Sequence, residues 1–429
     1  MKIAVIGSGI SGMSVAYALY KAGKDVTVFE KNDRLGGHSR TIDISVNNKK
    51  IPVDTGFIVF NYRNYKHLTA LFDHIGVAVE KSDMSFGVDI GEGWLQYSSK
   101  NIFRRIQNLV RPKYWKMVFD VVKFNRIAPT YLNKDTDITI RQCLDELKMG
   151  DWFRRYYLQA MGGAIWSCPI AKIEKFPAKT FIRFFQNHGL LTINNHPQWY
   201  TVSGGSREYI KLLTAQFSDK IKLNTAVQSV KRHQDGVTII TDNGQSEEFA
   251  KVIFACHADQ AITMLDKPTP EENKIIGAFT YQSNKIVVHS DLNFMPSDKS
   301  CWASWVYLSD KKYDNSDMLA LSYWMNNLQN YKTDTPIIIT LNPTTMPKDD
   351  LVYDVHHFNH PVFTKDAINA QSEIENIQGE NSTYYVGAYQ RYGFHEDGIA
   401  SAVAVLDKMD ISIPWQNCMV ADHLREKNK

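Results

Sequence analysis

The sequence has no apolar run of the roughly 18 residues that a membrane-crossing helix needs, so no helical span of a bilayer is expected. Its five cysteines, Cys143, Cys168, Cys256, Cys301 and Cys418, are scattered and form no CxxC pair. That argues against a disulfide framework or zinc ribbon and suits thiols used as small apolar filler in a reducing compartment. Charge of one sign is also scarce. A formal net charge of +3 over 429 residues leaves no footprint for nucleic acid, and no DNA- or RNA-binding signature is present. Internal repeats and low-complexity stretches are absent. Nothing precedes the first apolar strand that could act as a secretory leader, so a cytoplasmic location is expected. What is present, 44% apolar residues, can bury a large core, and the length fits two domains.

The most informative stretch runs from Lys2 to Arg40. Ile3 to Ile6 is a short apolar run of the kind that forms a strand buried on both faces. It leads into Gly7-Ser8-Gly9-Ile10-Ser11-Gly12, after which Met13, Ala16, Leu19 and Tyr20 recur at helical spacing until Gly23. A second strand, Val26 to Phe29, ends on Glu30. Each glycine has a physical task in such a loop. Gly7 permits the tight turn, Gly9 lets a pyrophosphate approach the backbone, and Gly12 lets helix and strand pack closely. The helix N-terminus offers unpaired N–H groups to phosphate, and Glu30 is placed to accept from ribose hydroxyls. A dinucleotide site is the reading.

Beyond Glu30 and Lys31 come Asp33-Arg34-Leu35-Gly36-Gly37-His38-Ser39-Arg40 and Val53-Asp54-Thr55-Gly56-Phe57. This second glycine pair resembles the motif of the flavin amine oxidase superfamily, which includes carotenoid desaturases and protoporphyrinogen oxidases. The resemblance implies FAD as cofactor, and an α/β, Rossmann-like FAD-binding domain interleaved with an α+β substrate domain. It implies contacts from Gly7, Gly9, Ile10, Ser11, Gly12, Glu30, Lys31, Gly36, Gly37, His38, Ser39, Gly56, Phe57 and Ile58, from Val227 near the adenine, and from Gly387, His395 and Glu396. His38 stands where many relatives carry an arginine facing the pyrophosphate. No Cys or His lies in a context that marks a flavin linkage, so non-covalent binding is expected.

The resemblance extends along the chain through Ala164-Ile165-Trp166-Ser167, Asn187-His188-Gly189-Leu190-Leu191, Pro197-Gln198-Trp199, Ser322 to Gln329, Thr340-Leu341-Asn342-Pro343 and His360-Pro361-Val362-Phe363. Together these are similar to one bacterial branch of the superfamily, often encoded near cyclopropane-type fatty-acid methyltransferases. By that association the implied substrate is a lipid acyl chain or another hydrophobic small molecule, with a functional link to such a methyltransferase. The expected boundaries are 1–75, 200–265 and 381–429 for the FAD domain and 76–199 and 266–380 for the substrate domain, with 76–199 largely helical. Strands are expected at Ile221 to Leu223, Val237 to Thr241, Phe249 to Ala255, Lys285 to His289 and Pro336 to Leu341.

A flavoenzyme needs no catalytic triad, because the isoalloxazine accepts the hydride. Gly393 to Gly398 resembles the superfamily's C-terminal FAD motif, in which a helix N-terminus stabilises charge on the reduced ring. His395 would lie near the ring, and Tyr389 is a candidate wall of an aromatic cage. His188 and His196, flanking the return to the cofactor domain, could assist proton removal, though structural hydrogen bonding is the favoured role for each. His356, His357 and His360 have the spacing of metal ligands, but no partnering Cys or acidic motif accompanies them, so a polar loop is expected and no metal. No lysine can be given the flavin-water role of several amine oxidases.

Residues 100–126 carry Lys100, Arg104, Arg105, Arg111, Lys113, Lys116, Lys123 and Arg126 against one acid, Asp120. Ile102, Phe103, Ile106, Leu109 and Val110 would share one helix face, and Tyr114, Trp115, Val118, Phe119 and Val122 a second. This pattern fits either a helix lying in an anionic membrane surface or helices packed on their own domain beneath a solvated basic face. Peripheral contact with the inner membrane face follows from the first. The function expected is FAD-dependent dehydrogenation of a lipid acyl chain. The alternatives are an amine oxidase using dioxygen and a non-catalytic flavin-binding partner of the methyltransferase.

Overall fold

The computed structural model describes residues 1–135, 137–166, 173–192, 196–309 and 320–419. At its centre is a five-stranded parallel sheet built from β1 (Lys2–Ile6), β2 (Asp25–Phe29), β3 (Ile221–Lys222), β4 (Lys251–Phe254) and β5 (Thr383–Tyr385), in the order β3-β2-β1-β4-β5. In β1, Ile3 and Val5 face one apolar layer while Ala4 and Ile6 face the other, which is why this strand reads as an unbroken apolar run. The first layer holds α1 (Ile10–Lys21), α2 (Lys66–Ile75), α5 (Arg207–Thr214) and α6 (His395–Lys408). The second is roofed by an antiparallel sheet of Val227–His233, Gly236–Thr241 and Ser246–Phe249.

Close packing of α6 on α1 depends on a side chain that is missing. A Cβ at Gly398 would stand 2.7 Å from Ser11 Oγ and 3.0 Å from Ile10 Cγ2. Asp397 accepts hydrogen bonds from the Tyr392 and Phe394 N–H groups and so fixes the entry into α6.

A second, seven-stranded sheet has the order Val352–Val362, Thr280–His289, Ile338–Leu341, Ala320–Trp324, Trp305–Ser309, Phe86–Ile90 and Leu95–Ser98. Its pairs are antiparallel except Trp305–Ser309 with Phe86–Ile90. Thus segments from both excursions away from the parallel sheet meet in one sheet. Its core joins Val88, Ile286 and Leu321 to residues of α3 (Pro112–Ile127) and α4 (Ala178–Asn187), among them Tyr114, Phe124, Phe181 and Phe184.

Several local expectations need correction. Residues 76–199 are not uniformly helical, because Val79–Ser82, Phe86–Ile90 and Leu95–Ser98 are strands whose partners lie far along the chain. The stretch Phe249 to Ala255 breaks at Ala250, where the chain leaves the antiparallel sheet and enters the parallel one. His356, His357 and His360 sit in the long strand Val352–Val362 rather than in a loop. Between Lys100 and Arg111 only Ile106–Leu109 is helical.

Candidate cofactor cradle and active site

The glycine loop follows β1. Gly7 lies in the left-handed region at φ +107°, and a Cβ there would come within 2.8 Å of Ala255 O. A Cβ on Gly12 would stand 2.0 Å from Gly7 O, so these two glycines serve the loop itself. Gly9 differs, since a Cβ there meets nothing within 4 Å. Its space opens onto the N-terminus of α1, which has no side-chain cap. The second glycine pair seals the first loop, with Gly36 N donating to Ser8 O at 3.0 Å and Gly37 packed against Gly9.

Glu30 braces this arrangement. One carboxylate oxygen accepts from Ser8 N (3.0 Å) and Ser8 Oγ (2.5 Å), the other from Asn32 N (2.9 Å) and Asn32 Nδ2 (2.7 Å). A carboxylate has about four lone-pair sites, so a ribose diol would bond Glu30 by exchanging with Ser8 Oγ or the Asn32 amide. Ser8 and Asn32 were not singled out in the sequence. Thr225 N donates to Glu30 O, which brings the start of the strand at Val227 to the same end of the sheet. Lys31 is exposed beside it.

Three histidines gather beside the loop. The ring of His38 stacks on Phe358 at 4.5 Å, with His360 at 5.3 Å and His257 at 6.0 Å. Burial pushes the His360 imidazole down to about 4 and holds His38 well below its usual range, so both are neutral at pH 7. His360 Nδ1 is hydrogen-bonded to Asn284, whereas His38 Nε2 and His257 Nδ1 are buried with no partner. Two unsatisfied ring nitrogens, an open glycine and an uncapped helix end fit a polyphosphate-bearing cofactor. His257 follows Ala255 and Cys256, which lie against Gly7 just past the end of β4, at the carboxyl end of a parallel strand where ligands of such sheets bind.

His395 lies beyond this cluster, stacked on Phe57 at 3.8 Å, with Nε2 2.9 Å from Ser39 Oγ. The Ser39 hydroxyl also meets the Tyr209 hydroxyl. Phe57 is held by its N–H to His38 O, and a Cβ on Gly56 would collide with that same oxygen. Ile58 is buried next to them, its carbonyl accepting from Thr201 Oγ1. Gly387 N donates to Ser401 Oγ. Glu396 closes the start of α2, accepting from His67 N and Leu68 N at 2.9 and 3.0 Å.

Of the histidines weighed for proton transfer, His188 and His196 part company. His188 ends α4, bonds Phe184 O through Nδ1, stacks on Phe184 at 3.9 Å and lies 5.6 Å from Phe394. His196 is exposed, away from this wall. Tyr389 is placed on the other layer, against Phe279 at 4.8 Å, its hydroxyl buried and unpartnered. An aromatic cluster of Phe184, His188, Tyr392 and Phe394 stands instead at this junction, and its last three members line a cleft of about 290 Å3 together with Lys66, His67, Arg391, Glu396 and Asp397. Among the described residues, no three His, Cys, Asp or Glu side chains are grouped to hold a metal ion.

Two polar links join segments remote in sequence at this junction. Arg40 makes a bidentate bond to Asp354 at 2.7 and 3.2 Å. Asp54, buried, accepts from Ser206 N and Oγ, Thr41 Oγ1 and Gln329 Nε2. Neither link is signalled by a motif.

A parallel sheet carrying a glycine-loop cradle at its carboxyl end, with a second, mixed sheet built from the intervening segments, is the frame of a flavoprotein. Residues 10–355 match the sequence model of the family described as "Flavin containing amine oxidoreductase", and the chain belongs to that family. Its cofactor is FAD. A putative flavin-containing monoamine oxidase, AofH, from Mycobacterium tuberculosis is 25% identical over 284 residues, 63% of this chain and 60% of the relative. The matched region thus spans less than two thirds of that curated relative. Among solved structures, a conjugated-linoleic-acid-producing fatty acid isomerase from P. acnes superposes with a TM-score of 0.65 at 14% identity, covering 95% of this chain and 98% of the other. Cyclohexylamine oxidase from Brevibacterium oxydans gives 0.68 at 15%, covering 95% and 99%. At these identities the structural likenesses show the fold alone. Among the described residues, no helix is long and apolar enough to cross a membrane.

The two buried imidazoles His188 and His395 weaken the fold in acid. Burial lowers His188 to about 4 and His395 to about 3. A depressed imidazole contributes stability that is full above its unfolded pKa near 6.5 and is lost as pH falls through the folded value. These two imidazoles therefore contribute a loss of stability between pH 6.5 and 4, opposed over the same range by the raised carboxyls of Glu396 and Asp397. His395→Gln, which keeps a hydrogen bond to Ser39 without titrating, should gain on the wild type by an amount on the order of 2 kcal/mol as pH falls from 6.5 to 4, read as the difference between their denaturant midpoints. A difference that does not change over that range would remove His395 from this role.

Proposed function

We propose that the chain is an FAD-dependent oxidoreductase that withdraws hydrogen from an apolar substrate, specifically a lipid acyl chain. The observation behind this reading is the aromatic cluster beside the cleft, in which Phe184 stacks on His188 at 3.9 Å and on Phe394 at 5.2 Å and meets Tyr392 at 5.7 Å, among groups that burial moves toward their neutral forms. His188 and His395 are lowered, while burial raises Glu396 to about 8 and Asp397 to about 6. The rings of Phe184 and Phe394 offer hydrocarbon an apolar contact, while Lys66 and Arg391 stand at the same cleft. Bound in the cradle, non-covalently, FAD would supply the hydride acceptor. The residues of this chain would exclude water, hold the chain against the aromatic wall and leave His188 as a neutral imidazole able to take a proton.

Amine oxidation is the second reading, favoured by the family description and by the curated relative named above. An amine reacts as the neutral base, which the same surroundings would also favour. The test is anaerobic. Membrane lipid extract is added to the purified holoprotein and the flavin absorbance followed, with mass spectrometry of the lipids for a loss of two hydrogens. Bleaching by lipid with a new double bond is the expected result. Bleaching only by an amine panel, with peroxide on admitting air, would replace the lipid reading with the amine one. Silence with both would leave a flavin-binding partner of a fatty-acid methyltransferase as the role to pursue.

A further inference from the structure

Of the twelve large apolar side chains exposed among the described residues, six lie between Phe103 and Val122. Ile106 and Val110 are each 73% exposed and Phe119 67%, with Phe103, Trp115 and Val122 completing the face. These are not loose ends. Phe103 stacks on Trp115 at 5.7 Å, and Trp115 Nε1 donates to Leu109 O at 2.7 Å. On the opposite side of α3, Tyr114, Met117 and Phe124 are buried in the core of the second sheet, and the Tyr114 hydroxyl donates to Ile102 O. The apolar side chains are thus mounted on a rigid support and presented to water, an arrangement that marks an interaction surface.

The charges around this face decide what covers it. Arg104, Lys113, Lys116, Lys123 and Arg126 are exposed along it. The single acid of the stretch, Asp120, is buried, accepts from Gly150 N at 2.9 Å and pairs with Lys116 at 3.2 Å. A second copy of the chain docked here would set cation against cation. An anionic bilayer complements both features, since aliphatic and aromatic side chains enter the acyl boundary while lysines and arginines meet lipid phosphates. We infer that the chain docks on anionic lipid membrane through the face spanning Phe103 to Val122, lying on the surface rather than crossing it. This inference does not depend on the substrate. Its core includes Phe184, the residue that carries the His188 ring, so docking would set the same domain against the lipid.

The test uses flavin-loaded full-length protein floated with phosphatidylcholine vesicles, with or without phosphatidylglycerol as a third of the lipid, at low salt. The wild type should float with the anionic vesicles and far less with the neutral ones. The double substitution Ile106→Asp/Phe119→Asp should weaken binding by about tenfold or more while flavin content stays unchanged. Arg104→Glu/Lys113→Glu should remove the dependence on anionic lipid, as each cation near such a surface adds to binding. Absence of flotation by the wild type, or equal flotation of the variants, would overturn the inference. So would a wild-type dimer in the ultracentrifuge that Ile106→Asp/Phe119→Asp splits into monomers, because a second copy would then cover the face.

Discussion

Gly9→Val is expected to purify folded and colourless. A Cβ at this position meets nothing within 4 Å, and Gly9 has φ −67° and ψ 179°, a conformation open to valine. No capping bond is lost, because none is made. Stability should therefore change by less than about 1 kcal/mol. The cofactor loses its approach to the N-terminus of α1, where unpaired N–H groups and the helix dipole favour phosphate. FAD affinity should fall by about a hundredfold, equivalent to roughly 2.7 kcal/mol, read as absorbance at the flavin bands per mole of protein and by titration of apoprotein. Gly12→Val is the contrasting variant. Its Cβ would stand 2.0 Å from Gly7 O, so the loop itself would have to open, and a large drop in melting temperature should accompany flavin loss. A yellow Gly9→Val protein with stoichiometric FAD would show that the phosphates lie elsewhere.

That two glycines three residues apart fail in different ways could be read from the sequence, because the loop is specified locally. β1, the glycine turn, α1 and Glu30 lie within thirty residues, and each constrains the next. The start of α6 at His395 was legible for the same reason, its glycines and acids marking a helix entry. The strands between Val79 and Ser98 were not, since what makes them strands is pairing with Trp199–Val202 and Trp305–Ser309, remote in sequence. The histidine cluster illustrates a signal that was present but misassigned. His356, Phe358 and His360 alternate with period two, the signature of a strand face, yet the polar character of the stretch pointed to a loop. Only the register of that strand against Thr280–His289 carries Phe358 and His360 to His38. Aromatic identity alone did not separate Tyr389, packed beneath the three-stranded sheet, from Phe394 at the junction.

Asp54→Ala should be among the most damaging single substitutions outside the glycine loop. Its carboxylate accepts from Ser206 N at 2.9 Å, Ser206 Oγ at 2.7 Å, Thr41 Oγ1 at 2.5 Å and Gln329 Nε2 at 2.8 Å. Its own N–H donates to Gln329 Oε1. Alanine would strand those donors in a buried site, at a cost of about 3–5 kcal/mol. The damage would reach the cofactor cradle, because Asp54 precedes the Gly56–Phe57 turn and ties it to Gln329 from a remote part of the chain. Asp54→Asn keeps the volume but points an amide N–H at one of the donors, costing about 1–3 kcal/mol. The pH dependence separates the carboxyl from its shape. Burial raises Asp54 from its ordinary value to about 6. A raised acid contributes stability that is full below its unfolded pKa and is lost as pH rises through the folded value. The stability gap between wild type and Asp54→Asn should therefore widen as pH falls from 7 toward 4, measured as the difference in urea midpoints. The acid loss due to the histidines is common to both proteins and cancels in that difference. A gap that stays constant with pH would mean that the fold holds Asp54 as an ionised brace.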